Sequence, residues 1–278
     1  MSVEIFEGEP PPPRPRPPLG PFGYGLAVLR LVLGLLWLLI MVLIYALLKG
    51  VEPVLGGAKP RYAVMRLWAR GCLWLFGIRR VLHGTPLKRG GAFVANHASW
   101  LDIVALCSIG QVAFLPKAEV ARWPVIGWCA KLMDALFVER KSTAARRQQQ
   151  DMAERIAKGQ QLLFFPEGTS TDGQRVLPFK SSLFAVFFSP DFADTVPVQP
   201  IALAWNPAER LPASLYGWWG DMELGPHIWE ILTLSYGGQV HLTFSEPLRA
   251  TDFADRKALA LEAWREVDAG WSAHKRQA

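Results

Sequence analysis

Hydrophobic positions change their spacing along the chain. Residues 31–48, LVLGLLWLLIMVLIYALL, run for 18 positions without a charge, and GLAVL lengthens the run upstream of Arg30. At about 1.5 Å per helical residue this nearly matches a hydrocarbon layer of about 30 Å, so it predicts a spanning or deeply embedded helix whose Arg30 snorkels to the interface. The run is too long and begins too late for a cleavable signal, and it ends in LLKG rather than a small-residue cleavage site. Residues 62–78, YAVMRLWARGCLWLFGI, mix Arg66 and Arg70 with Trp68, Trp74 and Phe76. That pattern suits a helix lying in a membrane interface; a core helix of a soluble domain is the other reading. From residue 90 onward, GAFVA, QVAFL, QLLFF, VPVQPIAL and QVHLTF read as strands, alternating with helical stretches over 119–134, 142–159 and 255–269. Residues 212–226 form a Trp-rich connection too apolar for a plain surface loop, suited either to membrane or acyl-chain contact or to core packing.

The expected fold class is therefore α/β, a central largely parallel sheet flanked by helices, with an N-terminal membrane helix and an interfacial helix. The chain divides into a Pro-rich disordered tail over 1–20, where PPPPRPRPP cannot build a core, a membrane helix over 21–48, a basic interfacial helical segment over 49–80 and one domain over 81–278. With 278 residues there is enough chain for one sizeable core.

Charge narrows the partner class. A net charge of +6 and a pI near 9.4 suit an anionic surface, while the mean hydropathy of +0.16 and the 12 Trp favour lipid headgroups over nucleic acid. Lys49, Lys59, Arg61, Arg66, Arg70, Arg79 and Arg80 follow the apolar run against Glu52 alone, which by the positive-inside rule puts the main domain in the cytoplasm, at the inner membrane. Cys72, Cys107 and Cys129 show no metal-ligand spacing and read as reduced, buried thiols. No metal and no cofactor are expected.

In NHASWLD, residues 96–102, Ser99 and Asp102 fit a capping box that starts a helix after strand GAFVA. Capping leaves His97 unexplained. Were both helical, five residues would turn His97 and Asp102 about 140° apart; with His97 in the strand-to-helix turn it can fold back beside Asp102. A carboxylate there fixes the imidazole tautomer and stabilises the imidazolium. In the stretch FPEGTSTDGQRVLPFKSS, Pro166 ends a strand ladder and Gly168 permits a tight turn whose amides can hold an oxyanion or phosphate, with Glu167, Arg175 and Lys180 nearby to orient polar groups. An ordinary solvated strand-end turn is the alternative. PKAEVARWPVIGW sets Lys117 after another strand. Gly-x-Ser-x-Gly, Gly-x-Gly-x-x-Gly and Gly-x4-Gly-Lys are absent from the sequence, which removes support for a serine-hydrolase elbow and for nucleotide binding.

Taken together and in this order, NHASWLD, PKAEVARWPVIG, FPEGTS and VPVQPIAL resemble the motif blocks of the glycerolipid acyltransferase family, over roughly residues 80–205. The resemblance implies a membrane-bound enzyme that moves a fatty acyl group from acyl-ACP or acyl-CoA to the hydroxyl of a lysolipid. It assigns His97 as general base and Asp102 as its partner, with Lys117, Glu167, Gly168 and Thr169 binding the acceptor's head. Histidine chemistry agrees, because a neutral alcohol needs a base that titrates near neutrality to attack a thioester. Ser170 stands where lysophosphatidate-specific members usually carry arginine. Lysophosphatidate (1-acyl-sn-glycerol-3-phosphate) is the leading acceptor, with Arg175 or Lys180 replacing that arginine; lyso-ornithine lipid is the alternative, and FPEGTSTDGQRVLPFKS with GDMELGPHIW looks closer to that branch. A thioesterase and a non-catalytic membrane adaptor are the competing readings.

Overall fold

The computed structural model describes residues 21–55, 60–88, 90–110, 112–116, 118–123, 126–133, 135–137, 145–158, 160–234 and 236–275. The proline-rich stretch over 1–20 and Lys117 lie outside these.

Two long helices come first, α1 (Pro21–Val51) and α2 (Arg61–Leu75). They are followed by β1 (Ile78–His83), β2 (Ala92–Ala95), α3 (Leu101–Cys107), β3 (Val112–Phe114), α4 (Ile126–Leu132), α5 (Ala145–Ala157), β4 (Gln161–Phe164), β5 (Val198–Pro207), α6 (Leu224–Leu232), β6 (Gly238–Phe244) and α7 (Arg256–His274). The strands form one sheet in the order β1-β6-β5-β2-β4-β3, parallel throughout except between β5 and β6. The largely parallel sheet expected from the alternation is present, and β1 adds a strand that crosses the 80/81 boundary drawn from the sequence. Its IRRVLH carries two arginines, so the run reads as basic rather than as β-prone.

Strand alternation divides the core. Phe93, Ala95, Leu163, Leu203 and Trp205 pack to one side with α2, α3 and α6, while Ala92, Val94, Leu162 and Phe164 pack to the other with Phe184, Phe187 and α7. β2, β4 and β5 are buried along their whole lengths, as central strands covered on both faces are. The 212–226 connection is core in part: Leu215, Tyr216 and Trp219 are buried.

α2 packs into the core on one face and leaves apolar residues uncovered elsewhere. Tyr62, Met65, Ala69, Cys72 and Leu73 are buried, while Leu67 and Trp74 stay exposed. Several basic residues counted towards an anionic surface are instead used internally. Arg61 pairs with Glu52 at 3.0 Å, and Arg70 and Arg80 both donate to the Ser108 carbonyl at the end of α3. Arg66 and Arg79 are exposed, as is Arg70 apart from its bond to Ser108.

α1 is long and apolar enough to cross a membrane, and only 11% of its most apolar window is buried. Yet it is fastened to the domain along its length. Arg30 donates to the carbonyls of Leu232 and Leu234, Trp37 Nε1 to Trp68 O at 3.1 Å, and Lys49 Nζ to Leu132 O at 2.8 Å. Gly71 makes the close approach to α2 possible, since a Cβ there would stand 2.4 Å from Trp37 Nε1. Arg30 and Lys49 are separated by about 28 Å of helix at 1.5 Å per residue. A helix held to one domain at both points lies along it, with Leu35, Leu36, Leu39, Leu43 and Leu47 facing outward. The expected outcome is that Phe22→Cys and Val54→Cys, each made with Cys129→Ser, react with a membrane-impermeant maleimide from the same side of sealed vesicles; reaction from opposite sides would make α1 a true span.

Candidate active site

β2 and β4 are neighbouring parallel strands, so the chain leaves both at the same edge of the sheet. This is the crevice beyond strand carboxyl ends where open α/β sheets place their sites. It brings NHASWLD and FPEGTS together.

Asn96 makes the first tie. Its side chain donates to Leu203 O at 3.0 Å and accepts from Leu203 N at 2.7 Å, pinning the end of β2 to β5. His97 follows in the turn, and its Nδ1 lies 2.7 Å from Asp102 Oδ2. Because an ionised carboxylate only accepts, Nδ1 carries the proton and donates, and in a neutral ring Nε2 then keeps its lone pair. The imidazole is 20% exposed and stacks on Phe165 with centroids 4.0 Å apart, so it is held in orientation yet open to a substrate.

Asp102 is fully buried. Besides His97, Oδ2 accepts from the amides of Ala98 at 2.7 Å and Ser99 at 2.8 Å, and Oδ1 accepts from Trp205 Nε1 at 2.7 Å. A single side chain makes both contacts: Asp102 reaches back to the Ser99 amide as a capping box requires, and holds His97 with the same oxygen. The other half of the box is missing, since Ser99 Oγ accepts weakly from the Leu101 amide at 3.3 Å and the Asp102 amide donates to Ser99 O.

The second motif braces the first. Glu167 Oε1 accepts from the His97 amide at 2.7 Å, and Oε2 from the Leu177 amide at 3.1 Å. Both oxygens of this buried carboxyl are engaged by main chain, one of them by the amide of His97 itself. Gly168 has φ +73°, which its lack of a Cβ permits, and a Cβ there would stand 2.7 Å from Lys180 Nζ. The Lys180 ammonium therefore overhangs the turn. Thr169 and Ser170 are half-buried, and among the described residues their amides donate to no main-chain carbonyl. Arg175 is exposed and reaches Asp172 at 3.1 Å.

Sequence reasoning missed Asn96, Trp205 and Thr171. Thr171 holds the His97 carbonyl through its amide at 3.0 Å and its hydroxyl at 3.2 Å. The 212–226 connection also reaches the site, the Trp218 amide donating to Ala98 O at 2.8 Å. Cys72 and Cys107 are buried free thiols and Cys129 is half-buried.

A protein-family model described as Acyltransferase matches residues 79–204. The lyso-ornithine lipid O-acyltransferase of Rhodobacter capsulatus is 36% identical to this chain over 278 residues, 99% of this chain and 100% of that one. The 1-acyl-sn-glycerol-3-phosphate acyltransferase of Neisseria gonorrhoeae is 36% identical over 143 residues, 49% of this chain and 54% of that one. Among solved structures, the 1-acyl-sn-glycerophosphate acyltransferase PlsC of Thermotoga maritima shares the fold, with a TM-score of 0.60 at 20% identity over 86% of this chain and 97% of that one.

Burial pushes the Glu167 carboxyl up to about 8; the His97 and Leu177 amides oppose that shift and the Asp102 charge adds to it. A carboxyl raised in the folded state binds its proton more tightly there than when unfolded. Its contribution to stability is present below its ordinary value of 4.5 and is lost as pH rises towards 8. In Glu167→Gln this titration is gone, and the amide NH2 faces a main-chain donor, which costs about 1–3 kcal/mol. The thermal midpoint of the variant should lie below wild type at about pH 5, with the gap narrowing towards pH 8. A gap that does not change with pH would contradict the shift.

Proposed function

This chain belongs to the acyltransferase family, and from that premise we propose that it transfers a fatty acyl group from an acyl thioester, acyl-ACP or acyl-CoA, to the hydroxyl of lyso-ornithine lipid. That it is an acyltransferase acting on lysolipids follows from its relatives; the acceptor and the roles below are the proposal.

His97 is the general base. Its Nε2 takes the hydroxyl proton as the acceptor oxygen bonds to the thioester carbonyl carbon, and the Asp102 carboxylate stabilises the imidazolium. The amides of Thr169 and Ser170 are the donors we assign to the oxyanion. When the tetrahedral intermediate collapses, the carbon–sulfur bond breaks and the thiolate leaves with the proton returned by Nε2. No covalent acyl-enzyme is needed.

The observation that carries the acceptor is the make-up of the turn over 167–170. A phosphate monoester has nearly two charges at neutral pH and binds best to a guanidinium fork. Here Ser170 offers a hydroxyl, Arg175 is paired with Asp172, and the cation over the turn is the point charge of Lys180. One ammonium matches the single carboxylate of an ornithine head. The Rhodobacter capsulatus relative, aligned over the whole chain, supports the same acceptor. Lysophosphatidate, ranked first from the sequence, is the second reading, supported by the Neisseria gonorrhoeae relative over about half of this chain.

We also assign the domain to the cytoplasmic face of the inner membrane, where α1 lies embedded along it and Arg66, Arg79, Leu67 and Trp74 meet an anionic lipid surface. The division into tail, membrane helix, basic segment and domain is retained as part of this reading, with the basic segment ending before β1.

The test is a side-by-side assay of purified protein with one acyl donor and the two acceptors. Wild type should use lyso-ornithine lipid at least tenfold better in kcat/KM, and His97→Ala should use neither. Ser170→Arg should raise lysophosphatidate use by about tenfold to a hundredfold, the worth of one charge-assisted pair, and leave lyso-ornithine lipid unchanged or poorer through repulsion of its ammonium. Preference of wild type for lysophosphatidate would reverse the acceptor assignment.

A further inference from the structure

Away from the acyltransfer site, at the edge of the sheet, three histidines meet. His83 closes β1, His241 lies within β6, and His274 is the last residue of α7. The parallel register sets Val81 opposite His241 and His83 opposite Thr243, so His83 and His241 share a face of the sheet. α7 crosses that face closely, since a Cβ on Gly270 would stand 3.0 Å from Ala202 Cβ and 3.2 Å from Thr243 Cγ2. The end of the helix is then tied down, with Asn206 Nδ2 donating to His274 O at 2.7 Å and Lys275 Nζ to Trp205 O at 2.6 Å.

One ring nitrogen from each histidine lies within 4.8 Å of the other two, and His83 Nε2 is 3.0 Å from His241 Nδ1. The rings of His83 and His274 stack with centroids 3.7 Å apart. Three imidazoles from three separate elements bring nitrogen donors together at one place.

We propose that His83, His241 and His274 form a binding site for a borderline divalent transition-metal cation of the zinc class, which clips the end of α7 to β1 and β6. Imidazole donors without a carboxylate suit Zn²⁺, Cu²⁺ or Ni²⁺ rather than Mg²⁺ or Ca²⁺. Three such ligands with water in the fourth place are an ordinary zinc set, with Zn–N of about 2.0–2.1 Å. Drawing the nitrogens into that shell spaces them by roughly 3.3 Å, which requires the His274 ring to turn out of its stack. The carboxyl end of a 19-residue helix also favours a cation. The expectation of no metal rested on sequence spacing, which cannot register three residues brought together only by the sheet and its covering helix.

The experiment uses the full chain in detergent, purified with a non-histidine tag, stripped with chelator and desalted, with Zn²⁺ alone as the probe. Calorimetry should give one Zn²⁺ per chain for wild type. His83→Ala and the bulkier His274→Gln should each bind at least tenfold more weakly, while His97→Ala binds as wild type does. Zinc at about a hundred times its dissociation constant should raise the wild-type thermal midpoint by ~5 °C and leave that of His274→Gln unmoved. Equal binding by wild type and a folded His83→Ala/His274→Gln double variant, or loss of binding in His97→Ala, would overturn the proposal.

Discussion

A single buried carboxylate organises this molecule's chemistry. Asp102 has no contact with solvent and accepts four hydrogen bonds, from the His97 imidazole, the Ala98 and Ser99 amides and the Trp205 indole. Removing a carboxylate from water costs several kcal/mol, and each bond to a charged group returns about 1.5–3 kcal/mol. Fewer donors would leave the ionised form poorly supported. The four come from two segments, the turn over 97–99 and β5, so the full set of donors is assembled only when the sheet has formed. That dependence joins folding to the state of His97.

The remaining parts serve the same turn. Asn96 fixes where β2 ends, Glu167 holds the His97 amide, and Thr171 holds the His97 carbonyl. Every main-chain polar group of His97 is thereby bound by a neighbouring strand's loop, and the imidazole is left one accessible nitrogen. Lys275 extends the frame to α7 through the Trp205 carbonyl. On the other side, α1 is fastened by Arg30, Trp37 and Lys49, which keeps a helix of outward-facing leucines beside the domain.

Local patterns were legible in the sequence. The strand AFVA followed by Ser99 and Asp102 announced a strand-to-helix turn, and the need for His97 to fold back gave the pair. What depended on partners distant in the chain was not. Trp205 lies 103 positions from the carboxylate it supports, and Asn96 is 107 from Leu203. Glu167 carried an acceptor-head role only through the family resemblance; its bond from the His97 amide forms only once β2 and β4 are adjacent. The basic residues after α1 looked like a surface patch, whereas Arg61, Arg70 and Arg80 satisfy internal groups. Charge counts carry no direction, and the fold supplies it.

The account turns on which ring nitrogen of His97 carries the proton. Ring-nitrogen NMR of histidine-labelled protein, with the His97 signals identified by their loss in His97→Ala, reads this directly at a pH where the imidazole is neutral. The account predicts the Nδ1-protonated tautomer, since that nitrogen faces Asp102 Oδ2 at 2.7 Å. A proton on Nε2 would contradict it, because no base would then face the lysolipid hydroxyl.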